Sequence, residues 1–216
     1  MLASIPEEDR VKNVRNIDLN HEALPVERAL GVFWDVEDDC FGFKVTVKVT
    51  PPTRRGLLST VSSIYDPFGF IVPYTLTAKK IIQDLIVIGL GWDERLGDED
   101  HNRWASWLHD LPKLESFRVR RCLKPAGADK LLQYELHHFS DASEIAYGMV
   151  TYMRVVDREG TAHCSLLMAQ SRLMPKKTVT IPRLELMAAA LSVKVDRMMR
   201  RELDLPLARS VFWTAR

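Results

Sequence analysis

The spacing of apolar residues changes period several times along the chain. Residues 1–29 are polar and show no clear period, so they read as an irregular lead-in. Two β-rich runs follow, Leu30-Gly31-Val32-Phe33-Trp34 and Phe41-Gly42-Phe43-Lys44-Val45-Thr46-Val47. The acidic stretch 35–39 between them predicts a hairpin, and Pro51-Pro52 breaks the second strand. From Thr53 the period is helical. Leu57, Leu58, Val61, Ile64 and Tyr65 share one face, with Thr53 as N-cap and Asp66-Pro67-Phe68-Gly69 as the stop. Pro73 opens a second helix with Leu76, Ile81, Leu85 and Ile88 as its buried side and Gly89 and Gly91 near its end. A third begins at Asp98. Glu99 and Asp100 fill its first turn, where the helix dipole favours negative charge, and Trp104, Trp107, Leu108 and Leu111 form its stripe.

At Pro112 the pattern starts afresh. The stretch through Pro125-Ala126-Gly127 is basic and loop-like. Strands are predicted over 134–139, 147–156 and 162–171, the first ending at Ser140-Asp141-Ala142-Ser143 and the last two joined by Asp157-Arg158-Glu159-Gly160. Pro182 then opens a long amphipathic helix whose stripe is Leu184, Met187, Ala188, Leu191, Val195 and Met198. A short strand over 210–214 closes the order β-β-β-α-β. The fold class is mixed α/β, in three segments: 1–50, 51–112 and 113–216.

Composition sharpens this division. Residues 1–112 hold 12 Lys/Arg against 18 Asp/Glu, net −6, whereas 113–216 hold 18 against 11, net +7. The basic half is the one to meet a phosphate backbone, although such an imbalance also arises on ordinary solvated surfaces. Three scattered cysteines without metal-ligand spacing imply a reducing, intracellular setting and no disulfide framework. The N-terminus lacks a signal-peptide pattern, and the longest apolar run, 81–90, is short and interrupted by Gln83 and Asp84. Neither secretion nor a membrane span is expected.

Two acidic residues carry the candidate chemistry. Asp141 ends the first strand of the basic module and Glu185 lies in the first turn of its long helix. Strand ends and helix starts meet at one edge of such a sheet, and convergent carboxylates suit magnesium, which takes oxygen ligands and leaves positions for phosphate. The alternatives stay open: Asp141 as an Asx-type turn, and Glu185 as a favourable charge at a helix start. Arg54 and Arg55 begin a helix and Lys176 and Lys177 precede the Glu185 helix, so these four are the candidate nucleic-acid contacts. His137 and His138 are adjacent on a strand and point to opposite faces, so they do not share a metal.

The words around these residues carry a resemblance. Glu135-Leu136-His137-His138-Phe139-Ser140-Asp141-Ala142-Ser143 with Tyr147-Gly148, and Thr180-Ile181-Pro182-Arg183-Leu184-Glu185-Leu186-Met187-Ala188-Ala189, resemble the RNase H-like domain of retroelement polymerases. More pointedly they resemble the Bel/Pao branch of long-terminal-repeat retrotransposons, a region sometimes labelled Pao retrotransposon peptidase. Upstream words continue the likeness: Glu27-Arg28-Ala29-Leu30-Gly31-Val32-Phe33-Trp34-Asp35, Pro52-Thr53-Arg54-Arg55-Gly56-Leu57-Leu58-Ser59, Tyr65-Asp66-Pro67-Phe68-Gly69-Phe70 and Trp92-Asp93-Glu94.

The resemblance implies that 1–50 ends a reverse-transcriptase palm with its last hairpin. It makes 51–112 a helical thumb or connection region and 113–216 a partial RNase H-like domain. It also implies RNA cleavage in RNA–DNA hybrids with Mg2+ on acidic residues, Asp141 and Glu185 matching the first two, and sequence-independent binding of hybrid or primer-template. The setting would be a cytoplasmic particle or the nucleus. The family's next strand reads Trp-Thr-Asp-Ser, with the Asp as third ligand; here Trp213-Thr214-Ala215-Arg216 offers no carboxylate. No polymerase centre and at most trace nuclease activity are expected of this chain. The other readings are a non-catalytic nucleic-acid- or protein-binding module and a genomic relic.

Overall fold

The computed structural model describes residues 27–29, 32–44, 50–123, 133–157, 159–176 and 179–214. The expectations placed on residues 1–26, on Leu30, Gly31 and Val45-Thr46-Val47, on Pro125-Ala126-Gly127, on Lys177 and on Ala215 lie outside them. Within them the chain is mixed α/β, with two four-stranded sheets and helices packed on one another and against the sheets.

The expected hairpin is present: β2 (Val32–Asp35) and β3 (Cys40–Phe43) pair antiparallel across a turn over 36–39. Asp39 takes a left-handed φ of 50° in that turn, a conformation Asp tolerates, and accepts a hydrogen bond from the Trp34 indole at 3.1 Å. Two strands that the apolar pattern does not announce complete the sheet. β1 (Glu27–Ala29), in the supposed lead-in, pairs with β2. β4 (Arg118–Arg120) pairs with β3. The segment after Pro112 is therefore not a loop of the basic module. It forms a 3-10 turn, Leu111–Ser116, and then returns to the first sheet.

Three helices pack on one another around a shared apolar cluster. In α1 (Arg54–Ser62) the Thr53 hydroxyl caps the Gly56 N–H at 3.2 Å, a cap whose loss typically costs about 1 kcal/mol. Leu57 and Val61 are buried, but the helix ends before Tyr65. Leu58 and Tyr65 face solvent, because the apolar stripe is narrower than the sequence pattern. α2 (Val72–Val87) carries Pro73 in its first turn and buries Thr75, Ala78, Ile81 and Leu85, while Ile88 is exposed past its end. α3 (Asp98–Asp110) adds Trp104 and Trp107, both buried, with Tyr74 stacked on Trp107 at 4.9 Å. Large rings of this kind dominate the apolar burial of so small a bundle.

The second sheet has the order β7-β6-β5-β8. β5 (Gln133–Ala142), β6 (Ala146–Val156) and β7 (Ala162–Leu173) form an antiparallel meander, and β8 (Leu207–Thr214) returns parallel to β5 after α4 (Ile181–Glu202). α4 packs on the face carrying Tyr134, Leu136, Met149, Met153 and Val155, against which Leu191, Val195 and Met199 are buried. Five elements stand in the order expected for 113–216, each strand one to four residues longer than the apolar run that announced it.

The modules join through the loop between α1 and α2. The Phe68 carbonyl accepts from the Ala169 N–H at 2.8 Å, so the loop pairs with the edge strand β7. Phe68, Phe70 and Ile71 then sit in one apolar cluster with Val32 and Phe43 of the first sheet and Leu166 of β7. Asp66 closes the loop by accepting from the N–H groups of Phe70 and Ile71 at 2.9 and 2.8 Å. Gly69 holds φ at +75°, and a Cβ there would stand 1.7 Å from the Ala169 carbonyl oxygen. Gly89 has a similar φ of +79° with nothing within 4 Å. Replacing Gly69 with Ala is expected to cost at least about 3 kcal/mol, backbone strain plus displaced pairing, and Gly89→Ala only about 1. Urea unfolding of the two variants checks this; equal costs would show that the loop does not seat on β7.

Candidate functional site

β5 and α4 converge at one end of the second sheet. Ala142, next to Asp141, and Leu184, next to Glu185, belong to the same apolar cluster with Tyr147 and Ala188. This contact follows from local sequence: Thr180 and Pro182 start the helix where the apolar Leu184 can reach Tyr147, the register partner of Ala142. The strand end and the helix entrance thus meet as expected.

Of the two carboxylates at that corner, only Asp141 borders the adjoining cavity. Tyr134, Leu136 and His138 of β5 face α4, so by the two-residue alternation of a strand Asp141 lies on the other face with Glu135, His137 and Phe139. Asp141 is exposed and its carboxylate accepts from the Ala142 N–H at 2.7 Å. Its register partner is Gly148, where a Cβ would press to 2.8 Å from the Gln170 carbonyl, so no side chain from β6 crowds the carboxylate. Asp141 borders a cavity of about 430 Å³ walled by Val72, Pro73 and Leu76 of α2 and floored by Gly148, Ala169 and Ser171. Glu185, half-buried on α4, does not line it. Among the described residues no three His, Cys, Asp or Glu side chains come together as a metal-ligand group.

The largest concentration of buried charge is elsewhere, and the sequence reading missed it. Glu135 is 1% exposed, yet it accepts from Arg154 of β6 and Arg209 of β8, both at 2.7 Å, and from His137 at 3.2 Å. Burial opposes its charge, but those hydrogen bonds prevail and hold its pKa at about 2. On the α4 side, His138 lies between Thr151 at 2.9 Å and Asp196 of α4 at 3.2 Å, and Asp196 also accepts from the Ser210 hydroxyl of β8. Burial lowers the His138 pKa against the pull of Asp196. The two histidines thus face opposite sides, as strand geometry requires. The available signal was the alternation itself, which sets Glu135, His137 and Asp141 on one face and His138 on the other.

The candidate cationic contacts are differently engaged. The Arg54 guanidinium donates to the Leu90 carbonyl and lies 4.7 Å from the Trp92 ring. Arg55 forms a bidentate pair with Asp93 at 2.7 and 3.0 Å. Both serve to join α1 to the loop before α3. Lys176 is exposed in the loop between β7 and α4.

Comparison with known proteins gives one family. The description "Pao retrotransposon-like RNaseH-like domain" matches residues 53–216, from the cap of α1 through the second sheet. No curated protein matches. Two similar solved structures are the foamy viral protease-reverse transcriptase dRH in complex with double-stranded DNA and the foamy viral protease-reverse transcriptase in complex with dsDNA. Both give a TM-score of 0.46, at 15% and 14% identity, covering 84% and 86% of this chain. The chain spans only 30% and 36% of those proteins.

The Glu135 hub has a defined pH signature. A carboxylate whose folded pKa is depressed stabilises the fold fully above its unfolded value, near 4.5, and loses that contribution as pH falls toward about 2. The stability difference between the wild-type chain and Glu135→Gln, from urea unfolding, should be largest near neutral pH and shrink across that window. A difference that stays flat through it would mean that Glu135 is not the ionised centre of the cluster.

Proposed function

Because this chain belongs to the Pao retrotransposon-like RNaseH-like domain family, we propose that it is a segment of a retroelement polymerase polyprotein that binds nucleic acid through a nuclease-derived domain. Its ancestral activity is cleavage of the RNA strand of RNA–DNA hybrids. The observation that carries this reading is the shared packing of Ala142 and Leu184, which sets the Asp141 strand end against the Glu185 helix entrance. The odd cysteine count and the absence of metal or disulfide spacing support a working place inside the cell. Among the described residues no helix is long and apolar enough to cross a membrane.

The donor set does not fit a complete magnesium centre. It offers two carboxylates, of which only Asp141 borders the cavity, and the sequence places Ala215 at the position where the resemblance puts the third. Magnesium prefers several hard oxygen donors in near-octahedral order, and each lost carboxylate removes both a ligand and a charge. Binding therefore rests on phosphate contacts rather than on metal chemistry. It is sequence-independent and falls steeply with salt.

The test uses the whole chain with a labelled RNA–DNA hybrid. We expect a salt-sensitive complex and no magnesium-dependent cleavage above trace. In Ala215→Asp, magnesium binding followed by calorimetry should strengthen about ten-fold or more, since affinity follows the number of charged ligands. Cleavage by the wild-type chain that disappears in Asp141→Asn would overturn the incomplete-centre reading. Failure to bind hybrid or duplex at low salt would overturn the nucleic-acid reading.

A further inference from the structure

The polar group buried on the α4 side of the second sheet joins four elements through one imidazole. His138 of β5 is 1% exposed and Thr151 of β6 is fully buried. His138 Nδ1 stands 2.9 Å from the Thr151 hydroxyl, and Nε2 stands 3.2 Å from Asp196 of α4. The same Asp196 oxygen accepts from the Ser210 hydroxyl of β8 and from Arg200 Nε at 3.3 Å. Arg200 also donates to Ser210 at 2.7 Å, and the Phe212 ring of β8 stacks on His138 with centroids 4.8 Å apart.

Donor counting fixes the proton. A carboxylate only accepts, so Nε2 carries the hydrogen and donates to Asp196. In a neutral imidazole Nδ1 is then an acceptor, and the Thr151 hydroxyl donates to it. A second ring proton would sit on Nδ1 facing the Thr151 oxygen. Thr151 would have to turn its own hydrogen away, and among the described residues its hydroxyl has no other partner. Protonation thus costs a buried charge and an orphaned buried donor together. The charged groups around the ring are Asp196 and Arg200 of α4 and, on the other face of its own strand, His137; β6 presents Thr151, and β8 presents Ser210 and Phe212. Burial is the strongest influence and lowers the His138 pKa; Asp196 raises it, and Arg200 and His137 lower it.

We propose that His138 is the proton switch of a latch on β8: neutral, it keeps Asp196 and its own ring in place for Ser210 and Phe212, and protonated it lets them go, so β8 loosens ahead of the rest of the sheet. The device stands independently of the nucleic-acid reading. β8 is the element affected because Phe212 rests on the ring itself and Ser210 is held by the two α4 residues beside it. β6 and α4, by contrast, also meet in the apolar layer through Met153, Val155, Leu191 and Val195. On the opposite face Arg209 ties β8 to Glu135, whose pKa of about 2 keeps that tie intact near neutrality, so the strand loosens without detaching. A histidine whose folded pKa lies below its unfolded value, near 6.5, leaves the folded state short of a proton on the acid side. Its contribution is complete at neutral pH and above and is lost as pH falls below that value.

Amide hydrogen exchange of the full chain, corrected for the intrinsic pH dependence of exchange, reads β8 against β6. Protection of the β8 amides should fall by up to about ten-fold per pH unit below about pH 6.5, the slope that one proton gives, with a smaller change in β6. His138→Gln offers a donor for Asp196 and an acceptor for Thr151 without a titrating group, so its β8 protection should stay flat across that range. Ser210→Ala should lower β8 protection roughly five-fold at neutral pH, the loss of one hydrogen bond, and Ser210→Thr should restore most of it. Wild-type β8 protection that does not change with pH overturns the proposal. So does a pH response that persists in His138→Gln, which would assign it to another group such as His137. Equal losses in β6 and β8 also overturn it, since the proton would then act on the whole domain. Circular dichroism confirms that the variants fold. If His138→Gln does not, the imidazole resonances of the wild-type chain decide: a neutral Nε2–H ring at neutral pH that protonates together with the loss of β8 protection supports the latch, and a ring already protonated there, or in the Nδ1–H form, sinks it.

Discussion

An edge strand must be covered or it recruits foreign strands, and β7 is such an edge. The loop after α1 covers it, with the Phe68 carbonyl on the Ala169 amide and Gly69 pressed where any side chain would collide. Three cores meet at that contact. Phe68 and Phe70 join the first sheet, Ile71 starts α2, and Leu166 belongs to β7. Gln83 of α2 adds a second tie, donating to the Met174 carbonyl beyond β7 at 2.8 Å. The wall that α2 sets over Asp141 depends on this docking, because Val72, Pro73 and Leu76 directly follow the loop. The cavity beside the candidate site is thus a product of inter-module packing, not of the nuclease-like sheet alone.

The second sheet is stabilised differently on its two faces. Toward α4 the apolar layer holds the His138–Asp196–Ser210 group, with Thr151, Ser140 and Ser192 also buried. Each member is satisfied there, which is what makes a buried polar cluster tolerable. It links β5, α4 and β8. On the other face the Glu135 cluster ties β5 to both of its neighbours through charge-assisted bonds. Removing one partner from either group would leave the others buried and unpaired, a larger loss than the bond itself.

These constraints also explain the division of basic residues. Arg54, Arg55, Arg154 and Arg209 all look like phosphate ligands in a charge count. Two of them instead tie α1 to Trp92, Asp93 and Leu90, and two neutralise a buried glutamate. A net charge of +7 over 113–216 thus overstates what is free to meet a polyanion.

Much of the fold was written in local pattern. Thr53, Pro73, Asp98 and Pro182 mark helix starts because caps and prolines act within one turn, and the alternating runs mark β5 to β8 because burial on one face demands a two-residue period. The packing of the β5 end on the α4 entrance was legible too, since strand end and helix start are neighbours in such a β-β-β-α-β order. Tertiary structure alone decided the rest. β4 has three residues and no apolar alternation, so only its partner β3 makes it a strand. Ile88 and Tyr65 are apolar enough for a core but fall beyond the ends of their helices. Glu135 reads as a polar break in a strand until Arg154 and Arg209, far away in sequence, bring their charges to it. The face on which Asp141 emerges depends likewise on which side of the sheet α4 packs. Hydrophobic period and capping are short-range and survive in one dimension; pairing of charges and covering of edges are long-range, and only the folded chain supplies their partners.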